Sequence, residues 1–427
     1  MSKRVDRAFI ASQEATARAI LHGGNMHLAD RGQLFESEDA VAQADYSRRL
    51  ERTRAKIAEA GLDGLLMTSQ YNRRYLTGFT AHDTDITESS GWVLVTPQTF
   101  GLVSGTFQLI GMEQEYAPSG VKVLLTDETL PWDMVAATAK SDGLRRLGFE
   151  KEWMSYDSYD RVRKALAAQT ELAPSEDLVE LVRAQKDEAE IATMRRAAEV
   201  ADEAFVRLTQ QIRRSMSERQ IAAMLEDLMV ELGASGTSFP TIVAAGPGAA
   251  QPHAVPTDRE VQPGEPLLID FGCRVDGYCS DITRTICIGE PDPKLVEIYG
   301  IVYAAQEAAL AKLQAGARRG RDVDAVAREV IANAGYGDKF IHSLGHGVGL
   351  AVHEMPVLSR LRSNTPEADA ELTKLEQLGN GSVVSNEPGI YLSDWGGVRL
   401  EDTVVVTELG ADVLTKRNPP QIRSIEG

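Results

Sequence analysis

The residues best suited to chemistry begin with two aspartates inside one predicted hairpin. Residues 267–288 read LLIDFGCRVDGYCSDITRTICI, two apolar-rich runs separated by Asp276-Gly277. An Asp-Gly pair between such runs predicts a two-residue hairpin turn, because both central positions take positive φ. Counting outward from that turn places Asp270 opposite Thr283. The first aspartate follows three apolar residues, so we expect it to be buried.

The second aspartate, Asp281, falls opposite Gly272 in the same register. Because side chains alternate faces along a strand, both aspartates share one face with Gly272 and Thr283. Diagonal neighbours of this kind lie about 7–8 Å apart, and Gly272 is expected to leave open space beside them. Such a pair predicts a metal site, since two-metal hydrolases hold their ions about 3.5–4 Å apart. Two solvated surface acids are the alternative. The opposite face is predicted to carry three small core residues, Cys273, Cys279 and Cys287.

A glycine-dense segment, SLGHGVGLAVHEMP (343–356), carries two histidines, His346 and His353. Its glycines permit tight turns and close approach of the backbone to a site. No Gly-Lys-Ser/Thr follows, so the segment is not a phosphate loop, and Val357 stands where a zincin motif needs its second histidine. For each histidine taken alone, a hydrogen-bonded structural residue is the alternative to a functional one.

Two glutamates complete a possible ligand set. Glu387 lies in VVSNEPGIYL and Glu401 in GGVRLEDTVVVT, near β-like runs joined by the turn-rich residues 393–397. Each glutamate alone would be interpreted as a surface acid. If a second buried hairpin presents them toward the two aspartates, four carboxylates and His346 surround one site. Oxygen donors with one imidazole suit manganese, cobalt, iron or zinc and disfavour thiolate-preferring ions.

The composition is that of a soluble globular protein, with 43% hydrophobic and 25% charged residues. The 45 Lys+Arg against 63 Asp+Glu give a formal net charge of −18, which repels phosphate backbones and argues against a nucleic-acid partner. No apolar run reaches the roughly 18–20 residues of a membrane helix, so no membrane partner is expected. The N-terminus lacks an apolar signal core, and three cysteines do not suit a disulfide framework, so we expect a cytoplasmic protein.

The elements that must position the site fall into two predicted domains. After an N-terminal arm (1–45), residues 46–175 alternate helical and β-like runs and predict a small α/β domain. In that domain we predict helices at 46–60, 133–146 and 157–169, and strands at 64–68, 92–96, 100–104 and 121–126.

Residues 176–427 predict a second domain in which two helices followed by a β hairpin occur twice. One of its long helices should begin after Ser217, where Gln220 completes a capping box. The predicted fold class is therefore α/β (α+β), with an internally duplicated second domain.

In their order and context these residues resemble the pita-bread family of metallopeptidases, which includes aminopeptidase P, prolidase, methionine aminopeptidase and the metal-free creatinase. The match covers roughly residues 46–415 and includes YNRRYLTGF (71–79) in a creatinase-type N-terminal domain. The resemblance implies a pseudo-twofold catalytic domain with two divalent metal ions, manganese first and cobalt, zinc or iron as alternatives. The implied ligands are Asp270, Asp281, His346, Glu387 and Glu401.

The resemblance also implies roles around these metals. A hydroxide bridging both ions attacks the scissile carbonyl, and Glu387 receives the proton of the water. His353 stabilises the tetrahedral intermediate, while His253 and Arg399 position the substrate. Thr283 is expected to support the ligands from behind, and a homodimer is implied.

The function implied is an Xaa-Pro peptidase, either an aminopeptidase on longer peptides or a dipeptidase. Methionine aminopeptidase lacks the creatinase-type domain and fits less well. One alternative keeps the metal site and acts on a small molecule, such as an ectoine-type amide or dimethylsulfoniopropionate, because fold alone does not fix the substrate. The N-terminal arm and residues 81–92 depart from the simplest peptidase pattern, so the identity of the substrate stays open. A non-catalytic binding module is disfavoured, since all five ligands are present.

Overall fold

The computed structural model describes residues 44–360 and 365–426, so the predicted arm lies almost entirely outside the described residues. The N-terminal region, up to residue 175, forms one open sheet. Its strands are β1 Gly64–Met67, β2 Trp92–Val95, β3 Phe100–Ser104, β4 Lys122–Leu125, β5 Arg146–Glu150 and β6 Glu171–Ser175. Its helices are α1 Tyr46–Glu59, α2 Gln70–Thr77, α3 Thr106–Leu109, α4 Glu113–Tyr116, α5 Pro131–Ser141 and α6 Tyr156–Ala165.

The strand order of this sheet is β4-β3-β2-β1-β5-β6. Only β2 runs antiparallel to its neighbours, and the other strands are parallel. Helix α1 begins after Asp45, whose side chain accepts from the backbone N–H of Arg48 at 3.0 Å. It ends just before Gly61, which has a φ of 67°. The predicted helix at 46–60 is therefore confirmed.

The four strands predicted in this region are also confirmed, but the other two predicted helices, at 133–146 and 157–169, end earlier than predicted, at Ser141 and Ala165. Helix α5 ends at Ser141 because Gly143, with a φ of 69°, turns the chain into strand β5. The prediction of a helix to residue 146 was therefore wrong at its C-terminal end. Strands β5 and β6 and helix α2 were not predicted.

The C-terminal region, from residue 176, carries the remaining elements. Its helices are α7 Glu180–Arg183, α8 Glu188–Gln211, α9 Glu218–Glu231, α10 Pro293–Gln314, α11 Gly320–Asn333 and α12 Pro366–Leu375. Its first strands are β7 Gly236–Thr237, β8 Ile242–Ala245, β9 Leu267–Phe271, β10 Cys273–Val275, β11 Tyr278–Cys279 and β12 Ile282–Ile288. The later strands are β13 Gly345–Gly347, β14 Glu354–Leu358, β15 Val383–Asn386, β16 Gly389–Leu392, β17 Gly396–Arg399, β18 Asp402–Thr407, β19 Gly410–Val413 and β20 Arg423–Ile425.

A helix pair precedes a sheet twice in this region. Helices α8 and α9 precede the sheet β20-β12-β9-β8, and α10 and α11 precede the sheet β14-β13-β15-β18-β19. The capping box of Ser217 and Gln220 is present at the start of α9. The three cysteines are buried and unpaired, as predicted for core residues. Across residues 44–360 and 365–426, no helix is long and apolar enough to cross a bilayer.

Buried polar contacts join the two regions. Arg49 of α1 donates to Asp187 Oδ2 at 3.1 Å and lies 3.4 Å from Glu190 Oε2. Glu190 accepts a hydrogen bond of 2.8 Å from the hydroxyl of Tyr278, at the start of β11. Because buried charges need partners to be tolerated, this series of contacts fixes the predicted carboxylate hairpin against α1.

A second buried network reaches the segment of His353. Arg183 donates to Asn72 Oδ1 at 2.8 Å and also pairs with the carboxylate of Glu354. Lys186 Nζ lies 2.8 Å from the other oxygen of Glu354. Glu354 directly follows His353, so charges contributed by α7 and its C-terminal neighbour hold this part of the chain.

The amide of Asn72 is shared by two carboxylates. It donates to Glu150 Oε1 at 2.5 Å and to Glu180 Oε1 at 2.6 Å. Burial, and after it the charge of Glu180, raises the pKa of Glu150 to about 7. This pair therefore links the end of β5 to α7 with a carboxylate that titrates near neutral pH.

Candidate metal centre

The carboxylate hairpin has the predicted register. Asp276 and Gly277 adopt φ values of 46° and 81°, as the two-residue turn requires. Strand β9 pairs with β12 so that Asp270 stands opposite Thr283, and β10 pairs with β11 in the same register. The turn therefore determines which side chains face the site, because side chains alternate faces along each strand.

One detail of the hairpin prediction was wrong. Gly272 does not leave open space beside the aspartates, since a Cβ there would lie 1.9 Å from the carbonyl oxygen of Ser280. Glycine is needed because the two backbones approach closely at this point. Gly272, Ser280 and Asp281 lie between the two ladders of the hairpin rather than within them, so Asp281 projects from an irregular segment.

The two glutamates lie in a similar gap, between the ladder of β15 with β18 and the ladder of β16 with β17. Asn386 pairs with Asp402 at one side of the gap, in the β15–β18 ladder. Strands β16 and β17 continue the same register at the other side, as the predicted second hairpin. Glu387 and Glu401 therefore stand opposite each other between two ladders. The backbone N–H of Glu401 donates to the Thr283 carbonyl at 3.1 Å, which joins the two halves.

The structure brings all five predicted ligands together. Asp270, Asp281 and Glu401 are buried, and each places a carboxylate oxygen within 4.8 Å of the other two. His346 Nε2, from β13, lies 3.6 Å from Asp281 Oδ2 and 3.3 Å from Glu387 Oε1. The arrangement is a concentrated negative site with one imidazole at its edge.

The electrostatics of this cluster call for a cation. Burial, and then the charge of Glu401, raises the pKa of Asp281 well above its usual range. Burial, and then the charge of Glu387, likewise raises the pKa of Glu401 well above its usual range. Asp270 Oδ1 and Glu401 Oε1 are buried without a hydrogen-bond partner among the described residues. Unpaired buried carboxylate oxygens are costly unless a metal ion or another partner compensates them. The residues present therefore fit divalent metal ions.

Arg399 lies within the cluster rather than apart from it. Its guanidinium pairs with Asp270, donates from Nε to Thr283 Oγ1 at 3.0 Å and donates from Nη1 to the Tyr391 hydroxyl at 2.9 Å. The side chain is 4% exposed. These contacts position Asp270 and Thr283, and they add to the substrate-side role that the family resemblance implied.

The two predicted substrate histidines line the same cavity as the cluster. The His353 ring centroid lies 4.2 Å from that of His346, in an edge-to-face arrangement. Burial, and after it the proximity of His346, lowers the pKa of His353 to about 4. His253 is exposed on the segment that follows β8. Both residues are therefore placed to contact a molecule bound at the cluster.

Sequence reasoning missed two further residues at this site. His342 Nε2 lies 2.8 Å from the Tyr391 hydroxyl, which also accepts from Arg399. Burial lowers the pKa of His342 and raises that of Tyr391 to about 12. The available signal was the position of His342 only four residues before His346, in the same histidine-rich segment.

The cluster lies in a cavity of about 1210 Å³. Much of the wall is apolar, with contributions from Phe239, Pro240, Ile242, Val352, Val357, Leu372 and Leu375. Such a combination of an apolar wall and a few convergent polar groups is typical of a small-molecule or peptide site.

Comparison with known proteins identifies the family. Residues 192–408 match metallopeptidase family M24, and residues 49–185 match the Creatinase/Prolidase N-terminal domain. The chain belongs to metallopeptidase family M24. This membership confirms the predicted resemblance and fold class, and a peptidase family that depends on metal ions agrees with the charge of the cluster.

Several relatives of this M24 chain match along most of its length. An uncharacterised peptidase, YqhT of Bacillus subtilis, is 37% identical over 86% of this chain and 97% of its own. An Xaa-Pro dipeptidase of Pyrococcus horikoshii is 34% identical over 83% of this chain and 93% of its own. Among solved structures, an Xaa-Pro dipeptidase from Bacillus anthracis has a TM-score of 0.79 at 36% identity, covering 89% of this chain and all of that one. An X-Pro aminopeptidase from Thermotoga maritima has a TM-score of 0.74 at 34% identity, and the match covers 87% of this chain and all of that one.

Proposed function

We propose that this M24 chain is a metal-dependent Xaa-Pro peptidase that hydrolyses the peptide bond before proline. The observation that carries the proposal is the convergence of Asp270, Asp281, His346, Glu387 and Glu401 at an apolar-walled cavity. Two of the buried carboxylate oxygens have no hydrogen-bond partner in the part of the chain that the structure describes. The activities named for the relatives from Pyrococcus horikoshii, Bacillus anthracis and Thermotoga maritima support the choice of substrate.

We assign the five side chains as ligands of two divalent cations, manganese first. When bound, such a pair lowers the pKa of water enough to supply a nucleophile near neutral pH and polarises the scissile carbonyl. Burial and neighbouring carboxylates raise the pKa values of Asp281 and Glu401, so both side chains would have to lose their protons to hold the cations.

Glu387 is assigned as the base. Burial alone would raise its pKa, but the hydrogen bond and charge of His346 outweigh burial and lower the pKa to about 2. Glu387 is therefore ionised at neutral pH, the form in which it can accept a proton. The Ser385 hydroxyl donates to Glu387 Oε1 at 3.2 Å and fixes the carboxylate in place.

The histidines and Arg399 act on the substrate side. His353, with its pKa near 4, is neutral at pH 7 and donates one N–H toward the oxygen of the scissile carbonyl. His253, at the exposed edge of the cavity, orients the peptide. Arg399 holds Asp270 and Thr283 in position while its guanidinium faces the cavity.

The test is turnover of a small peptide panel by protein stripped with a chelator and restored with manganese, cobalt or zinc. Ala-Pro, Gly-Pro and Ala-Pro-Gly should be cleaved before proline only after metal is restored, and Ala-Gly should stay intact. Asp281→Asn should lose activity by more than about 100-fold, because even groups that merely support ligands are worth roughly 10- to 100-fold. Asp157→Asn, at a side chain that is 72% exposed, is the matched control and should keep full activity.

Bound metal with every peptide intact would refute the peptidase proposal and direct attention to small non-peptide substrates. Two further assignments accompany the proposal. Three buried, unpaired cysteines support a reducing cytoplasmic location. The exposed apolar side chains Phe107 (87% exposed) and Ile110 (73% exposed) support a homodimer, which light scattering would test.

A further inference from the structure

Helix α12 (Pro366–Leu375) lies outside the duplicated pattern of the C-terminal region. In the first half of this region, the described residues between β8 and β9 contain a single 3₁₀ turn, Gly246–Ala250. In the second half, a ten-residue helix lies between β14 and β15. The duplicated architecture does not require this helix, so its position at the cavity needs another explanation.

One face of α12 forms part of the cavity wall. Ala368, Leu372 and Leu375 recur at positions i, i+4 and i+7, which share one helix face. All three line the cavity that holds the metal-ligand cluster. Leu372 is 9% exposed, and Leu375 is partly exposed. An apolar face is therefore presented to the cavity interior.

The other face of α12 is anchored by charge. Arg321 of α11 donates to Asp369 and, at 3.0 Å, to Thr373 Oγ1. At the C-terminal end of the helix, Lys374 Nζ lies 2.6 Å from Asp177. These contacts hold the helix from outside, so the apolar face stays directed inward without help from a substrate.

The apolar wall is continuous with the metal-ligand cluster. Val357 of β14 is paired directly opposite His346 of β13, and such neighbours lie about 4.5–5.5 Å apart. Val357 also lines the cavity, and α12 packs against β14. The wall therefore leads from a ligand, across Val357, to Leu372 and Leu375.

The size of the cavity bears on what this wall could bind. Its 1210 Å³ exceeds the roughly 300–1,000 Å³ that is ordinary for small-molecule sites, so it offers room for a peptide longer than a dipeptide. The proposed function, on which this inference rests, removes a single residue from the N-terminal side of proline. The surplus space therefore belongs to residues that follow proline.

We propose that the inward face of α12 is a binding subsite for an apolar side chain that follows the proline, and that the enzyme acts on tripeptides and longer peptides in preference to dipeptides. Leu375, with Leu372 behind it, determines this preference. Two exposed side chains of opposite charge, Arg360 and Glu371, also line the cavity.

The test compares kcat/KM for Ala-Pro, Ala-Pro-Gly and Ala-Pro-Leu with metal-restored wild type and with Leu375→Asn. Wild type should favour Ala-Pro-Leu over Ala-Pro-Gly by about tenfold, the scale of a modest apolar subsite. Leu375→Asn should remove most of that ratio by raising KM for Ala-Pro-Leu. Leu409→Asn, the same substitution at a leucine that is 99% exposed, is the control and should keep the ratio.

A ratio near one in wild type, or a ratio unchanged by Leu375→Asn, would overturn the subsite. Comparing kcat/KM for Leu-Pro and Ala-Pro tests whether α12 contacts the residue before proline instead. If wild type prefers Leu-Pro and Leu375→Asn abolishes that preference, α12 contacts the residue before proline and the inference is wrong. Failure to cleave any of these peptides would overturn the proposed function itself, and is distinguishable because Ala-Pro-Gly then stays intact in every variant.

Discussion

Thr283→Val is expected to weaken metal binding more than it weakens the fold. The Thr283 hydroxyl donates to Glu401 Oε2 at 2.7 Å and accepts from Arg399 Nε at 3.0 Å, in a fully buried position. Valine keeps the shape of the side chain and removes both contacts. A hydrogen bond to a charged group contributes about 1.5–3 kcal/mol, so the loss falls directly on a proposed ligand and on the arginine beside it.

The effect on metal affinity follows from the protonation of Glu401. Burial raises the pKa of this carboxyl, and the Thr283 hydrogen bond opposes that rise. Without the hydrogen bond, Glu401 keeps its proton to a higher pH, and the cation must displace it. We therefore expect affinity to fall roughly 10- to 100-fold, with a loss at pH 8 that is no larger than the loss at pH 6.

Thr285→Val is the matched control. Thr285 lies on the same strand and the same face, 2% exposed, and its hydroxyl donates to the Arg399 carbonyl at 2.9 Å without touching a carboxylate. Calorimetric titration of stripped protein with manganese at both pH values gives the affinities, and thermal unfolding of the same samples gives the stabilities. Both variants should melt earlier than wild type, but only Thr283→Val should bind metal less tightly. Equal affinity losses in the two variants would refute the reasoning.

Three further predictions concern stability. Gly272→Ala should lower the melting temperature, because its methyl group meets a backbone carbonyl. Gly300→Ala in α10, where a Cβ would have nothing within 4 Å, should add about 0.5–1 kcal/mol to the free energy of unfolding. Thermal scans that rank the two variants otherwise would contradict this. The pKa of Glu150 is raised above its unfolded value, so its ionisation destabilises the protein as pH rises through about 7. Glu180→Gln should therefore raise the melting temperature at pH 8 and leave it unchanged at pH 5. Equal gains at both pH values would show that the charge of Glu180 does not act through the ionisation of Glu150. Chelation should lower the melting temperature, since a cation at 100 times its Kd adds about 2.7 kcal/mol; identical melting of stripped and restored protein would argue against the metal site.

The sequence predicted the carboxylate hairpin because the information there is local. The Asp276-Gly277 turn sets the register, and alternation of side chains then places Asp270 opposite Thr283, as the structure has it. The prediction of open space beside Gly272 was wrong, because the backbone of Ser280 approaches closely there. That approach depends on the gap between the two ladders, which the residue pattern does not predict.

The contacts of Arg399 could not be predicted from local patterns. Its partners Asp270 and Thr283 lie 129 and 116 residues away, and only the packing of the two sheets brings them together. The pairing of His342 with Tyr391 spans 49 residues and was missed for the same reason. The roles of the five ligands, of His253 and His353, and the domain boundary at residue 175 stay predictions.

The hydrophobic core that the two regions share has a consequence for recombination between relatives. Tyr75 and Leu76 of the N-terminal region pack in one buried cluster with Tyr278, Val348 and Leu350, the last two from the glycine-rich segment around His346. The core beneath this segment is thus partly built from residues more than 200 positions earlier in the chain. A chimera that exchanges the N-terminal region with that of another M24 enzyme should lose activity through misfit under this segment, even when every ligand is retained.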